Sequence, residues 1–209
     1  MAAIAVSDED NRTKADPSDN ISVIIITAST SATPLSNIRI RAGTNPTFSG
    51  GGTINGLVYI EAPNKVTFSG GTHLTGVIVV DNPNEMTSTN AITFSGGGTM
   101  LGPENLDASY GTLRTMTGAS ILAPNFTVNM TGGSASFGGS IFAKAVGLSG
   151  GSGGSVNGTV VSYGTAATTF SGGSGFTFTN TGPAAVPAQG LSFSGRLAPV
   201  SSTYTELIP

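Results

Sequence analysis

The stretch VTFSGGTHLTGVIVVDNPN, residues 66–84, repeats the phrasing of PTFSGGGTINGLVYIEAPN, residues 46–64. Further copies of the Phe-Ser-Gly-Gly element begin at Phe94 and Phe170, and looser copies begin at Met130 and Leu148. The basic period is therefore about 20 residues, which is shorter than the 30 or more residues of a helical-pair repeat. A period of this length is typical of one coil of a β-solenoid, in which each coil stacks on the one before it.

The second half of the repeat supports an extended backbone. Four segments align: residues 54–60, 74–80, 137–143 and 156–162. Their first position is apolar, their third is glycine and their fifth is β-branched. Because alternate residues of a strand share a face, we predict that these positions point inward. The glycine would let the backbone turn or approach the axis closely.

The Phe-Ser-Gly-Gly half predicts an inward aromatic column and an outward polar array. Phe48, Phe68, Phe94 and Phe170 are expected to stack between coils, and the paired glycines after them to turn a corner. Pro-Asn pairs in residues 62–64, 82–84 and 123–125 predict a second kind of corner, since proline cannot donate to a strand ladder. The outward neighbours form the candidate surface-binding array: Thr47, Ser49, Thr67, Ser69, Thr93, Ser95, Thr169 and Ser171.

These patterns predict an all-β fold, a parallel β-solenoid with coils of about 20 residues and atypical capping ends. We expect it to be right-handed, as parallel crossovers usually are. The predicted organisation is a polar acidic tail at 1–20, a β-solenoid at 21–175 and a C-terminal cap and tail at 176–209. Residues 37–43 look like an edge strand guarded by Arg39 and Arg41. An insertion near 102–119 should bulge from the rod with a short helical turn at 104–110, as a tolerated loop or as a functional one.

Composition excludes several classes of protein. Hydrophobic residues make up 38% of the chain and its mean hydropathy is +0.17, so there is enough apolar material for a core. Residues 1–20 hold five acids and two bases, a charge of −3, and the remaining six acids and six bases balance. A neutral body lacks the basic patch that nucleic acid requires. No apolar run reaches 18 residues, so we predict no transmembrane segment in this chain.

Catalytic and metal-binding patterns are weak. His73, the sole histidine, falls at a predicted solvent-facing position, and the chain has no cysteine. Glu61 and Asp81 occupy matching places in neighbouring repeats and are expected to stack about 5 Å apart. They are the one candidate pair for glycoside cleavage, but no basic or aromatic companion is evident. We therefore predict no enzyme activity, no cofactor and no metal.

Part of the chain resembles known bacterial families. GASILAPNFTVNMTGG, then FGGSIFAKAVGLSGG and GSVNGTVVSYG, are similar to the carboxy-terminal part of choice-of-anchor A surface domains over residues 118–164. TFSGGGTINGLVY resembles glycine-rich solenoid domains of pilus-assembly-associated proteins over residues 46–98. Both resemblances imply a secreted or surface-displayed bacterial β-solenoid, extracellular or at the cell surface, with an adhesive or scaffolding role and no catalytic set.

Three functions follow as expectations. The first is a non-catalytic structural or adhesive module, whose partners would be cell-surface glycan, other surface or pilus subunits, or further copies of itself. The second is binding to ice or another crystal surface through the Thr-x-Ser rows, which are similar to the Thr-x-Thr rows of ice-binding solenoids. The third is a polysaccharide-acting β-helix enzyme that uses Glu61 and Asp81. Against any function of the rows stands the plain fact that Thr and Ser suit exposed strand positions.

Overall fold

The computed structural model describes residues 24–26, 30–31, 34–81, 89–132, 136–149, 153–165, 168–172 and 175–179. The predicted tail at 1–20 and most of the predicted cap at 176–209 lie outside them. Two 3₁₀ helices, Pro103–Asn105 and Ala108–Thr115, separate the ninth strand from the tenth. The strands are β1 (Ile24–Ile26), β2 (Thr30–Ser31), β3 (Leu35–Ile40), β4 (Thr47–Ser49), β5 (Thr53–Ile60), β6 (Lys65–Phe68), β7 (His73–Val80), β8 (Ala91–Ser95), β9 (Thr99–Leu101), β10 (Ala119–Thr131), β11 (Ser136–Gly138), β12 (Ser140–Ser149), β13 (Ser155–Asn157), β14 (Val160–Ser162), β15 (Thr169–Ser171) and β16 (Thr177–Thr179).

The all-β prediction is confirmed, and the sheet is parallel. Every pairing between the strands of the described residues runs parallel. Partner residues lie about one repeat apart: Phe48 pairs with Phe68, and Phe68 with Phe94. The main strand order is open, running from β16 at one end to β2 at the other. Whether the chain winds as a solenoid, and with which hand, stays a prediction.

Each repeat contributes to three ladders of paired strands. The first ladder holds the Phe-Ser-Gly segments: β2, β4, β6, β8, the ends of β10 and β12, and β15. The second ladder holds the starts of β3, β5 and β7, then β9, β11, β13 and β16. The third holds β1, the ends of β3, β5 and β7, the starts of β10 and β12, and β14.

The alternation of buried and partly exposed residues along the strands shows which face of each strand lines the core. In β5, Ile54, Gly56, Val58 and Ile60 are buried, and the residues that alternate with them are partly exposed. The buried side chains of the three ladders form one hydrophobic cluster. The apolar first and fifth positions of the repeat therefore point inward, as predicted.

The aromatic column is confirmed for three of its four members. Phe48 and Phe68 stack with ring centroids 5.1 Å apart, and Phe68 and Phe94 with centroids 5.2 Å apart. The prediction is wrong for Phe170, whose side chain is 62% exposed. Its strand, β15, pairs with β12 alone among the described strands, so no later described strand covers the ring.

The repeated glycine marks a close approach between backbones. Gly76 has φ +138°, and a Cβ added there would overlap the carbonyl oxygen of Gly56 in the preceding repeat. Only glycine fits such a position without a shift of the backbone. The Gly70–Gly71 pair has positive φ at both residues, which confirms the predicted corner.

Two other local predictions are corrected. Residues 37–43 do not form an edge, because β3 pairs with both β1 and β5. The predicted corner at 123–125 lies inside the continuous strand β10, where the pairing register with β12 shifts instead. The corner predicted at 82–84 lies outside the described residues.

The insertion does not simply bulge outward. The first 3₁₀ helix contacts β7 and the second contacts β5. Pro103 and Leu106 are buried, and the Tyr110 hydroxyl hydrogen-bonds Ser36 Oγ at 3.0 Å in the second ladder. The insertion therefore packs back along earlier repeats, and its 3₁₀ turns partly match the helical turn predicted at 104–110.

Candidate functional site: the outward hydroxyl array

The predicted array lies on the outer side of the first ladder. Its members alternate with the phenylalanines of the repeat, and in the first three repeats a buried ring stands between the threonine and the serine. Between Thr169 and Ser171 the Phe170 ring is exposed. Thr47, Ser49, Thr169 and Ser171 are exposed, and Thr67, Ser69, Thr93 and Ser95 are half-buried. Thr47, Thr67 and Thr93 face one another across paired strands, whereas Thr169 pairs with Gly147. The array thus splits into two groups that are joined by the looser repeats.

The register shows how the looser repeats join them. Thr131 pairs with Ser95, Ser149 with Thr131, and Ser171 with Ser149. One outward column therefore carries a hydroxyl in every described repeat, and we call it the serine column. Its members are Ser49, Ser69, Ser95, Thr131, Ser149 and Ser171. The other column is interrupted, since Asn129 and Gly147 take the places of threonine.

Two hydroxyls of the serine column support the ladder itself. Ser69 Oγ donates to the carbonyl oxygen of Phe48 at 3.1 Å, and Thr131 Oγ1 donates to that of Phe94 at 3.4 Å. Each hydroxyl thereby ties one repeat to the one before it, and its oxygen can still accept a hydrogen bond from outside.

A second outward polar array, of five hydroxyls and one imidazole, lies on the second ladder and was not predicted from the sequence. It consists of the residues that directly precede the inward apolar position after each glycine corner: Thr53, His73, Thr99, Ser136, Ser155 and Thr177. His73 Nδ1 lies 2.6 Å from Thr99 Oγ1, and the hydroxyls of Ser136 and Ser155 lie 3.1 Å apart. The sequence carries a signal for this array, because Thr or Ser recurs at this position in most repeats. His73 is exposed, as predicted.

The two candidate catalytic carboxylates, Glu61 and Asp81, accept hydrogen bonds from backbone amides. Glu61 forms an ion pair with Arg39, with 2.5 Å between Oε1 and Nη2, and accepts from the amide of Ala42 at 3.1 Å. Asp81 Oδ1 accepts from the amide of Ala62 at 2.6 Å. The two carboxylates therefore play the same part in successive repeats, each binding the chain one repeat earlier. This arrangement stabilises a corner.

The expectation that these carboxylates have no basic or aromatic companion is wrong. Arg39 lies 6.0 Å from the centroid of the Tyr59 ring, in addition to its ion pair with Glu61. Burial raises the pKa of the Tyr59 phenol, and the negative charges of Asp81 and Glu61 raise it further, while Arg39 opposes them.

The buried asparagines of two Pro-Asn pairs bind backbone groups, one at the corner of residues 62–64 and the other within strand β10. Asn64 is 1% exposed, and its Nδ2 donates to the carbonyls of Arg41 and Glu61. Its Oδ1 accepts from the amide of Asn45 at 2.8 Å, and Asn125 Nδ2 donates to Asp81 O at 3.1 Å. A buried amide that satisfies backbone groups is stabilising, so these asparagines are architectural.

Within the described ranges, no cluster of three or more His, Asp or Glu side chains could hold a metal ion. No helix of the described chain is long and apolar enough to span a membrane. Comparisons with protein-family models, with curated proteins and with solved structures found no match for this chain.

Proposed function

We propose that the chain winds as a parallel, right-handed β-solenoid and serves as a non-catalytic adhesive module of a secreted or surface-displayed bacterial protein. Parallel pairing at intervals of one repeat supports the winding, because each strand must return to the same ladder through a crossover. The three ladders around one hydrophobic cluster support it further. The resemblance to bacterial surface and pilus-associated domains supports the location.

The serine column carries the functional proposal. Its hydroxyls recur at every described repeat, at a spacing of about 4.8 Å between paired strands. A neutral, regular row of hydroxyls on a rigid ladder suits a repetitive polar polymer, which it would meet through many weak contacts. Multivalent contact of this kind gives affinity without a deep pocket. The partner proposed is a neutral cell-surface glycan.

An enzymatic role has less support. Glu61 and Asp81 each bind a backbone amide, and Glu61 also pairs with Arg39. A general acid or base must instead reach the proton it transfers. Unchanged polysaccharide cleavage in a Glu61→Gln/Asp81→Asn double variant would remove this pair from consideration.

Co-sedimentation with insoluble neutral polysaccharides tests the adhesive role. Thr67→Tyr places a bulky ring in the middle of the array, on the same strand face as Ser69 of the serine column and next to it, and should weaken multivalent binding about fivefold or more. The matched control is Thr75→Tyr, which changes an equally half-buried threonine on the second ladder, in a column interrupted by Leu101. Absence of binding by the parent chain, or equal loss in both variants, would contradict the proposal.

A second candidate is binding to ice or another crystal surface. Thr47, Thr67 and Thr93 pair in unbroken succession beside the serine column, which makes a regular two-column patch. A thermal-hysteresis measurement on the parent chain, with Thr67→Tyr beside it, tests this candidate. No hysteresis in the parent chain ends it.

A further inference from the structure

The C-terminal end of the described ladders leaves aromatic side chains uncovered. Phe170 is 62% exposed and Phe178 is 45% exposed, and their rings meet edge to face at 6.0 Å. Their partners one repeat earlier, Leu148 and Val156, are almost fully buried. β15 and β16 each pair with one strand among the described strands, and each has a second edge that pairs with none of them. Exposed apolar edges of this kind favour the addition of another strand.

The chain continues for 30 residues beyond Thr179, and their sequence carries the same pattern. Residues 192–195 read Ser-Phe-Ser-Gly, against Thr-Phe-Ser-Gly at 169–172. The interval from Leu148 to Phe170 is 22 residues, and the interval from Phe170 to Phe193 is 23. The phenylalanine therefore returns at the spacing that the preceding repeat uses.

The second ladder gives an independent match. Val156 and Phe178 lie 22 residues apart in paired strands, and Val200 follows Phe178 by another 22. The connection is also long enough. From Asn157 at the end of β13 to Thr169 at the start of β15 the chain advances 12 positions, and from Thr179 to Ser192 it advances 13.

We propose that residues 191–200 dock on this open end as one further repeat of the same chain. Residues 192–194 pair in parallel with β15, which lays Phe193 on Phe170 and brings Val200 onto Phe178. The occupant is the chain's own continuation because it carries the matching residues at the matching intervals. A tethered segment also has a high effective concentration at the end it follows. The outer hydroxyl columns would then gain Ser192 and Ser194.

A cysteine pair tests the register, since the native chain has no cysteine. In Ser171→Cys/Ser194→Cys the two residues would lie opposite each other, within the Cα separation that a disulfide needs. The matched control, Ser171→Cys/Ser192→Cys, moves one thiol two positions along the strand, to a diagonal separation of about 8 Å. After mild oxidation of the full chain we expect an intramolecular disulfide in the first variant, at several times the yield in the control. Equal yields, no disulfide, or a disulfide between two copies would overturn the proposal.

A fluorescence probe tests the contact without cross-linking. The chain has no tryptophan, so Phe170→Trp gives a single reporter at the open end. We expect a blue-shifted, concentration-independent emission in the full chain and a red shift on adding Phe193→Ser. Val186→Ser, an apolar-to-polar change outside the pattern, is the control and should leave the emission unchanged.

Three results would count against the docking. They are an emission wavelength typical of a solvent-exposed tryptophan in the full chain, an emission unchanged by Phe193→Ser, and an emission that depends on protein concentration. The last result would indicate a second copy as the occupant. Neither experiment involves a glycan, so failure of the docking and failure of the adhesive role are distinguishable.

Discussion

Phe68 and Phe170 occupy the same place in the same four-residue element, yet one is 2% exposed and the other 62%. Phe68 has Phe48 on one side and Phe94 on the other, both in stacked contact. Phe170 pairs with Leu148 on one side and has no later described strand on the other. The comparison shows that a single repeat cannot bury its own phenylalanine. The ring is buried by the repeats on either side of it, as in proteins built from stacked repeats.

The largest expected effect is at the centre of the stack. Phe68→Ala should lower the free energy of unfolding by about 3–5 kcal/mol, because it leaves a cavity between two rings. Phe170→Ala should cost less than half as much, since described residues cover its ring on one side at most. The further repeat proposed above would not remove this difference, because a terminal repeat opens more easily than a central one. Urea unfolding of both variants followed by circular dichroism checks this, and equal losses would break the comparison.

Gly76 and Gly71 allow a second comparison, between a glycine that touches the backbone of another repeat and one that does not. Gly76→Ala pushes a methyl group into the Gly56 carbonyl and should cost about 3 kcal/mol through overpacking and strain. Gly71→Ala meets no atom within 4 Å and bears only the conformational cost of φ +77°, about 1 kcal/mol. Thermal melts rank the two variants, and a Gly71→Ala loss as large as that of Gly76→Ala would contradict the close approach.

A smaller effect is expected at the corners. Asn64→Ala removes three hydrogen bonds to buried or partly buried backbone and should cost about 2 kcal/mol. Asn105→Ala, at an exposed amide in the insertion, is the matched control and should change stability by less than about 0.5 kcal/mol. If the two variants unfold at the same urea concentration, the buried amide contributes nothing specific.

The smallest effect is a pH dependence that separates two tyrosines. The folded state raises the pKa of Tyr59 and of Tyr163 above 10.0, so it binds their protons more tightly than the unfolded chain does. Stability should therefore fall as the pH rises past 10, and Tyr59→Phe or Tyr163→Phe should each reduce that fall.

Salt distinguishes the two tyrosines. The charges of Asp81 and Glu61 contribute to the pKa of Tyr59, whereas burial alone raises that of Tyr163. Added salt should therefore weaken the contribution of Tyr59 and spare that of Tyr163. Unfolding curves at pH 9 and pH 11, with and without 0.5 M salt (about the level at which surface charges are well screened), check both expectations.

The sequence was sufficient for the inward and outward faces of the strands and for the glycine corners. Strand alternation and positive φ are local properties, so Ile54, Phe68 and Gly70 could be placed from their neighbours alone. The prediction failed where burial depends on another repeat, as at Phe170, and where a pairing is remote, as between Tyr110 and Ser36. Strand alternation also gives the alternation of the Thr and Ser positions with the phenylalanines, but the continuity of the column through Thr131 and Ser149 is visible only from the register.

The insertion gives the chain an uneven response to mechanical force. A ladder of parallel repeats that is pulled from its ends should peel one repeat at a time, and each step would release about 20 residues, or roughly 70 Å of contour length. The 3₁₀ helices instead contact β7 and β5, and the Tyr110 hydroxyl reaches Ser36, 74 positions away along the chain. The repeats tied in this way should rupture together, so that a pulling force would meet its strongest barrier in the first half of the described ladders.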